Sequence, residues 1–297
     1  MDRIVPYLWF DDNAEEAVKF YITLFEDSEL TLEQALEGTP SGEDMAVYEF
    51  SLAGMTFGAI NGGPHFKFNP SISLSVNCDT KEETQHLWDQ LINDGKALMP
   101  LQEYPFSELY GWVEDKYGLS WQVIYTGGFE YDQKITPQLM FSGAVTGKAK
   151  EAISYYTDIF KDGVIGDVHE YGEGDSNHPD AQISHANISI LDTELFIADN
   201  GNEVDYTFNE AISLMVLCVT QAEIDYYWEK LTADPAAEEC GWLKDKYGVS
   251  WQIVPANMND LLNRGTASQI EAVTKEFLQM KKLDIKHLER AWEIADE

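Results

Sequence analysis

The sequence predicts an α+β fold made of two similar domains in tandem. Residues 111–122 read GWVEDKYGLSWQ and residues 241–252 read GWLKDKYGVSWQ, and nine of these twelve positions are identical. Each copy is expected to form a strand, a tight turn at the shared glycine and a second strand. In both halves, short apolar strands also alternate with capped helices. A repeat of this length indicates a duplicated domain rather than a solenoid.

The first half contains a strand–helix–strands pattern twice. Residues 4–10 (IVPYLWF) form an apolar strand, after which Asn13 is expected to cap a helix with Glu16 as its capping-box partner. Thr80 and Glu83 repeat this capping pattern before a second helix, and later strands lead to the first copy of the motif. The first half is therefore predicted to consist of two βαβββ-like units.

The pattern restarts in the second half. Residues 135–141 (ITPQLMF) match the first strand, and Thr220 and Glu223 repeat the capping box. The C-terminal segment has apolar residues at helical spacing, and we expect it to pack on the chain's own domains rather than on a partner protein. The predicted organisation is a first domain at 1–127, a linker at 128–134, a second domain at 135–256 and a helical extension at 257–297.

The charge excludes several classes of partner. The chain has 19 Lys and Arg against 53 Asp and Glu, a net charge of −34, which would repel nucleic acid and anionic membranes. We expect no signal peptide and no membrane-spanning segment, because no long uncharged apolar run occurs. Three cysteines without a secretion signal fit a reducing compartment and no disulfide framework. The expected location is the cytoplasm.

Motifs spread over both halves carry a family resemblance. They are PYLWF, FSLAGMTF, NGGPHFKFN, SVNCDT and GWVEDKYGLSWQVI in the first half, and ISHANISILDTELFIADN and CGWLKDKYGVSWQIVP in the second. Together they resemble the PhnB-like branch of the vicinal oxygen chelate superfamily, the glyoxalase, bleomycin-resistance and dioxygenase fold. The resemblance covers about residues 3–256. It implies tandem domains, each of paired βαβββ modules whose sheets curl around a cup-shaped cavity, plus C-terminal helices.

The resemblance also bears on oligomeric state and activity. It implies that the two domains pack as an intramolecular version of a family homodimer, with a homodimer of the whole chain left open. Some relatives are labelled demethylubiquinone methyltransferases. No glycine-rich nucleotide loop follows the first strand, and the pattern is not doubly wound, so the sequence gives that label no support.

Metal enzymes of the superfamily place ligands at three kinds of position: early in the first strand of a domain, at the start of the fifth and on the last. By resemblance these positions fall near Pro6 and Pro137, near Ser71 and Ala211, and on Gln122 and Gln252. Proline and alanine side chains cannot ligate a metal, and glutamine is a poor neutral ligand. The expectation is therefore a protein without the usual metal site and without a cofactor.

The loop NGGPHFKF is expected to form the rim of a cavity. His65 in this loop is either a ligand contact or general base at the mouth, or a loop histidine bonded to nearby backbone. Trp9 and Phe68 are candidates for a flat apolar wall. The four tryptophans of the repeated motif are instead expected to build the core; they are Trp112, Trp121, Trp242 and Trp251.

Polar residues on two strands complete the predicted ligand-binding set. Gln122 and Gln252 lie on the polar face of the last strand of each half, where an amide can both donate and accept. His185 and Asn187 share the polar face of a strand in the second half, where His185 is either a ligand contact or a satisfied buried imidazole. A zinc site there would need more ligands, and His169, Glu170, His178 and Asp180 are the nearby candidates.

The sequence leaves open whether the protein is an enzyme. The favoured interpretation is a protein that binds or sequesters an unidentified small molecule in a cup-shaped cavity. The alternatives are a metal-dependent lyase, isomerase or dioxygenase with unexpected ligands such as His185, and a scaffold that binds another protein through its acidic surface or C-terminal helices. No nucleophile–base pair is justified by sequence spacing. We also expect the two cups to have diverged, because His65 and His185 have no counterparts across the repeat.

Overall fold

The computed structural model describes residues 3–36 and 45–295. The first half consists of two units with the order strand, helix and three strands, as the sequence predicts. The first unit contains β1 (Ile4–Phe10), α1 (Ala14–Tyr21), β2 (Glu29–Leu36), β3 (Met45–Leu52) and β4 (Met55–Asn61). The second unit contains β5 (Ile72–Cys78), α2 (Lys81–Leu91), β6 (Lys96–Tyr104), β7 (Ser107–Glu114) and β8 (Ser120–Tyr125).

The second half repeats this order, but its last unit is shorter. The third unit contains β9 (Ile135–Phe141), α3 (Ala149–Ile159), β10 (Val164–Glu170), β11 (Ile183–Ile190) and β12 (Thr193–Asp199). The fourth unit contains β13 (Ile212–Cys218), α4 (Gln221–Leu231), β14 (Trp242–Lys244) and β15 (Ser250–Pro255). Three helices follow: α5 (Met258–Asn263), α6 (Ala267–Phe277) and α7 (Ile285–Ile294). Within the described ranges, no helix combines the length and apolarity needed to cross a membrane.

The strands form two cup-like sheets, which confirms the predicted α+β fold class. The first sheet has seven strands in the order β14-β15-β13-β1-β4-β3-β2. The second has eight, in the order β10-β11-β12-β9-β5-β8-β7-β6. Each sheet therefore combines one unit from each half, the first with the fourth and the third with the second.

This pairing corrects the expectation that each half closes a cup of its own. In the first sheet, β1 is antiparallel to β13, with Pro6 opposite Leu214. In the second, β5 is antiparallel to β9 in the same way, with Leu74 opposite Pro137. The first strands of all four units share one apolar pattern, so the pattern alone cannot select which two of them pair.

The fourth unit lacks one strand because its chain is shorter. Twenty residues separate Leu91 from Trp112, whereas ten separate Leu231 from Trp242. A short turn of 3-10 helix at Pro235–Ala237 precedes β14 in place of a full strand. The first sheet consequently ends at a strand of only three residues, beside the C-terminal helices.

The repeated motif buries one aspartate in each half. Asp245 accepts hydrogen bonds from the backbone nitrogens of Tyr247 (2.8 Å) and Val249 (3.1 Å), from the Tyr156 hydroxyl (2.7 Å) and from Trp251 Nε1 (2.9 Å). One carboxylate thus holds the turn, helix α3 and strand β15 together, which explains why the motif recurs. Asp115 does the same in the first half through four matching donors, which are Tyr117, Leu119, Tyr21 and Trp121.

The helix caps agree with the sequence in part. Thr80 and Thr220 accept from the backbone nitrogens of Glu83 and Glu223, as predicted. Asn13 does not cap α1 with its side chain. Asn61 at the end of β4 accepts from the nitrogen of Ala14 instead (2.8 Å), so the cap comes from a neighbouring strand in space and could not be read from local sequence.

Candidate functional site

A cavity of about 560 Å³ lies on the inner face of the first sheet. Strand β1 shows how the sequence produces it, because side chains alternate between the faces of a strand. Val5, Tyr7 and Trp9 line the cavity, whereas Ile4 and Leu8 are fully buried in the core. Strands β3, β4, β13 and β15 and the C-terminal helices supply most of the remaining walls.

One wall is aromatic. The ring of Trp242 lies edge-on to Tyr7 and Trp9, at centroid distances of 6.4 and 6.3 Å. A Cβ atom on Gly58 would lie 2.2 Å from the Tyr7 ring, and one on Gly62 would lie 2.2 Å from the Trp9 ring. Glycine at both positions therefore lets the two rings lie against the sheet and leaves space above them.

The NGGPHFKF loop forms part of the mouth. Trp9 Nε1 donates to the Gly63 carbonyl (2.9 Å), and Phe66 packs edge-on against Trp9 at 5.0 Å. His65 is exposed at the cavity edge, and its imidazole makes no hydrogen bond with the part of the chain that the structure describes. The loop thus lies at the edge of the cavity, with the His65 side chain exposed there.

The charged groups of the cavity are acidic. Glu49, Glu210 and Glu239 line it, and Glu210 forms an ion pair with Lys244 (2.6 Å). Burial, together with the nearby Glu49 carboxylate, raises the pKa of the Tyr7 hydroxyl, which therefore stays protonated. The interior of the cavity accordingly offers a hydroxyl donor beside a carboxylate.

The C-terminal helices close one side of this cavity. Met258, Asn259 and Leu262 of α5 and Phe277 of α6 face it. Asn259 Nδ2 donates to Glu49 Oε2, and Gln34 Nε2 donates to the Leu262 carbonyl (3.0 Å). The extension therefore packs on the chain's own first sheet, and it supplies part of the site, a role that the sequence analysis did not assign to it.

Two further cavity residues lie near the shortened strand. Gln252 faces the cavity, as predicted, and its amide donates to Ser213 Oγ (2.9 Å). Cys240 also lines the cavity, but burial and the neighbouring Glu239 raise the pKa of its thiol to about 11. Because the thiolate is the nucleophilic form, Cys240 is poorly suited to nucleophilic catalysis at neutral pH.

The second sheet has different side chains at the positions that match the cavity residues of the first sheet. Tyr7 stands opposite Gly58 in the first sheet, and the corresponding pair in the second sheet is Gln138 opposite Phe196. Gln122 donates to Ser73 Oγ (2.7 Å) and Gln138 Oε1 (2.9 Å) and accepts from the Tyr110 hydroxyl (2.7 Å). The predicted site residue Gln122 thus has its amide fully engaged by the protein, outside the cavity.

His185 and Asn187 also lie in the second cup, on β11. The His185 ring packs edge-on against Phe196 at 4.8 Å and lies 6.4 Å from His169. Burial is the main cause that lowers the pKa of His185, and the charge of His169 adds to it. Asn187 Oδ1 accepts from the backbone nitrogen of Asp167 (2.5 Å). These two predicted residues are therefore separated from Trp9, His65 and Gln252.

Two aromatic side chains differ from their predicted roles. Phe68 packs edge-on against Phe10 at 5.0 Å and belongs to the core packing rather than to the cavity wall. Trp242 was expected in the core but lines the cavity. Its counterpart Trp112 belongs to the second sheet, where it donates to Ser120 Oγ (2.7 Å). The repeat makes the two tryptophans look equivalent, and each pairs with the glutamine of its own motif; what distinguishes them is the set of side chains on the neighbouring strands, since Trp242 lies beside Tyr7 and Trp9.

Pro6 lies at one of the positions where the resemblance expected a metal ligand. Pro6 points away from the cavity, and its neighbours Val5 and Tyr7 face it. Across residues 3–36 and 45–295, no three His, Cys, Asp or Glu side chains form a group that could hold a metal ion.

Comparisons with known proteins identify relatives. A model of the family described as 3-demethylubiquinone-9 3-methyltransferase matches residues 2–124 and 133–254. A Bacillus cereus PhnB protein with the same description is 38% identical, over 41% of this chain and 98% of its own, with a TM-score of 0.39. Glyoxalase I from Zea mays is 9% identical, over 87% of this chain and 96% of its own, with a TM-score of 0.52, which supports the fold. No curated protein matches.

The family match covers both halves of the chain and stops before the C-terminal helices. It agrees with the motifs of both halves and with the two sheets of paired units. The chain therefore belongs to the family described as 3-demethylubiquinone-9 3-methyltransferase, and it has the glyoxalase fold that its motifs predicted.

Proposed function

We propose that this protein binds an apolar small molecule in the cavity of the first sheet. The observation that carries the proposal is the cavity of about 560 Å³ whose walls are aromatic and aliphatic, with a few polar groups that converge on it. Concave, mostly apolar sites of this size are typical of ligand pockets. His65 at the mouth and Gln252 inside remain the predicted polar contacts.

The chemistry of the lining favours binding over covalent catalysis. Tyr7 and Cys240 both have raised pKa values, so neither supplies a ready nucleophile at neutral pH. His65 has no carboxylate partner among the described residues that would orient it as a general base. Sequestration or delivery of a ligand needs none of these groups to react.

The test is the binding of a neutral fluorescent probe, N-phenylnaphthylamine, followed by its emission and by quenching of Trp9 and Trp242. The blocking variant is the double substitution Tyr7→Gln and Gly58→Phe, which introduces into the first sheet the pair that Gln138 and Phe196 form in the second. We expect this variant to lose probe binding, because a phenyl ring would occupy the space above Gly58. Failure of the wild-type protein to bind any apolar probe would contradict the proposal.

A matched control uses the internal repeat. Trp242→Ala should weaken probe binding up to about tenfold, since an aromatic contact contributes roughly 0.5–1.5 kcal/mol beyond simple burial. Trp112→Ala removes the equivalent residue of the second sheet and should leave probe affinity within about twofold. Equal losses in the two variants would place the site elsewhere.

The family's description supports a second candidate, a methyl transfer, which requires a bound methyl donor. The loop after β1 reads Asp11, Asp12 and Asn13 rather than a glycine-rich nucleotide loop, and both sheets mix parallel and antiparallel strands. Titration with S-adenosylmethionine distinguishes the candidates. Saturable binding that competes with the neutral probe would favour the transferase.

A further inference from the structure

The residues that line the cavity include aromatic and acidic side chains but neither lysine nor arginine. Of its lining residues, three are glutamates, and the exposed His65 alone could carry a positive charge. The segments that the structure leaves undescribed, 1–2, 37–44 and 296–297, contain no lysine or arginine. A ligand in this space therefore meets negative charge on the walls, with Lys244 engaged by Glu210 just outside.

Glu49 is the carboxylate best placed to act on a ligand. Across the sheet it stands opposite Gly58, which stands opposite Tyr7, so a position without a side chain separates the two. Its oxygens accept from Asn259 Nδ2 and from Thr31 Oγ1 (3.3 Å), both neutral donors. Glu49 forms no ion pair with any residue of the described ranges. A half-buried carboxylate of this kind is stabilised when a cation approaches it.

The aromatic residues favour the same ligand charge. Tyr7, Trp9 and Trp242 line the same cavity as Glu49, and the faces of aromatic rings attract cations through their quadrupoles. An anionic ligand would instead meet Glu49 and Glu239 without a compensating lysine or arginine. Both features select against negative charge.

We propose that the ligand of this cavity is an apolar molecule with one positive charge, such as an arylalkylammonium or a quaternary ammonium ion. Glu49 would neutralise the charge, while Tyr7, Trp9 and Trp242 would enclose the apolar body. This inference rests on the proposed binding function and adds the class of ligand.

The test compares two probes of the same shape, the naphthylmethyl trimethylammonium ion and its neutral isostere neopentylnaphthalene. Dissociation constants come from quenching of tryptophan fluorescence. We expect the cation to bind about tenfold more tightly, the range that a partly desolvated cation–π contact and one carboxylate provide. Glu49→Gln should reduce this preference by weakening the binding of the cation, and the part supplied by the aromatic rings should remain.

Two controls separate local recognition from the chain's overall charge. Glu33→Gln removes one charge from the adjacent strand β2, where the exposed Glu33 does not line the cavity, and should leave the preference intact. The preference should also persist at about 0.5 M salt, where long-range attraction to exposed charge is largely screened.

The outcomes distinguish the two proposals. If neither probe binds, the proposed binding function fails and the ligand class fails with it. If both probes bind equally, the cavity is a binding site and the inferred charge preference is wrong. A preference of unchanged size in Glu49→Gln would overturn the role of Glu49. A preference that disappears with Glu33→Gln or with salt would assign it to net charge and overturn the inferred recognition.

Discussion

At the residue scale, Asp245 shows how one buried group can explain a repeated motif. Four donors converge on its carboxylate, and they come from the turn, from α3 and from β15. Burial raises the pKa of this carboxyl, against the effect of those hydrogen bonds. The buried carboxylate is therefore stabilised by its hydrogen bonds. Each of its oxygens accepts two of them, so a group that donates cannot replace either oxygen.

We therefore expect Asp245→Asn to destabilise the fold. An amide nitrogen in this position faces two donors, which leaves buried polar groups unpaired at a cost of about 1–3 kcal/mol. A thermal melt should show a fall of several degrees, and Asp115→Asn should give a similar fall. The exposed Asp158 provides the control, since Asp158→Asn should leave the melting temperature nearly unchanged. A melting temperature unaltered by Asp245→Asn would refute the structural role.

His185 leads to a prediction about pH. Its pKa is lowered in the folded chain, chiefly by burial, so the folded state binds a proton less readily than the unfolded state. The resulting stability is present above the ordinary histidine pKa of about 6.5 and is lost as pH falls through the lowered value. His185→Gln should therefore reduce the loss of melting temperature between about pH 7.5 and pH 5.5.

The control for this effect is His86, which is exposed on α2. His86→Gln should leave the pH dependence as it is in the wild-type chain. If His185→Gln has no more effect than His86→Gln, then His185 does not contribute to acid sensitivity. If His185→Gln also lowered the affinity for the neutral probe, the separation of the two cups would be in question.

At the element scale, the C-terminal helices connect stability to the site. A small apolar cluster joins them to the first sheet, with Val273, Leu283 and Leu288 fully buried and Met215 packed against them. The same helices supply Met258, Leu262 and Phe277 to the cavity. Loosening them should therefore change ligand binding as well as local stability.

Leu288→Ala tests this connection. Replacing a buried leucine by alanine lowers the free energy of unfolding by about 2–5 kcal/mol. Here the substitution should destabilise mainly the C-terminal helices, which pack against the first sheet. We expect faster hydrogen exchange in residues 258–295 and weaker binding of the neutral probe, with little change in β5 to β12. Ile294→Ala on the same helix is the control, because Ile294 is 58% exposed. Unchanged probe affinity in Leu288→Ala would show that the helices are not needed for the site.

At the scale of the whole molecule, both sheets cross the boundary between the halves. Strand β1 pairs with β13 and β5 pairs with β9, so neither half completes a sheet alone. We expect the intact chain to unfold in one calorimetric transition. A chain cleaved at a protease site inserted near Phe129, which is 82% exposed in the connection between β8 and β9, should remain a single particle under native conditions. Separation into two folded monomers would contradict the shared sheets.

Many features of this protein followed from its sequence alone. The strand–helix units, the capped helices at Thr80 and Thr220, the fold class and the C-terminal helices were all predicted, because local periodicity and capping depend on neighbouring residues. The loop with His65 and the strand residue Trp9 both line the cavity, and their contact with a ligand stays a prediction. The repeat also indicated that the two cups would differ.

The tertiary structure alone decided which units share a sheet and which side chains line the cavity of the first sheet. Trp242 and Trp112 have the same local motif and equivalent neighbouring strands, but Trp242 lies beside Tyr7 and Trp9 and lines the cavity of the first sheet. A glycine at position 58 and a phenylalanine at position 196 face Tyr7 and Gln138, and these contacts join residues far apart in the chain. Pairing of four similar strands depends on long-range packing, which no local pattern specifies.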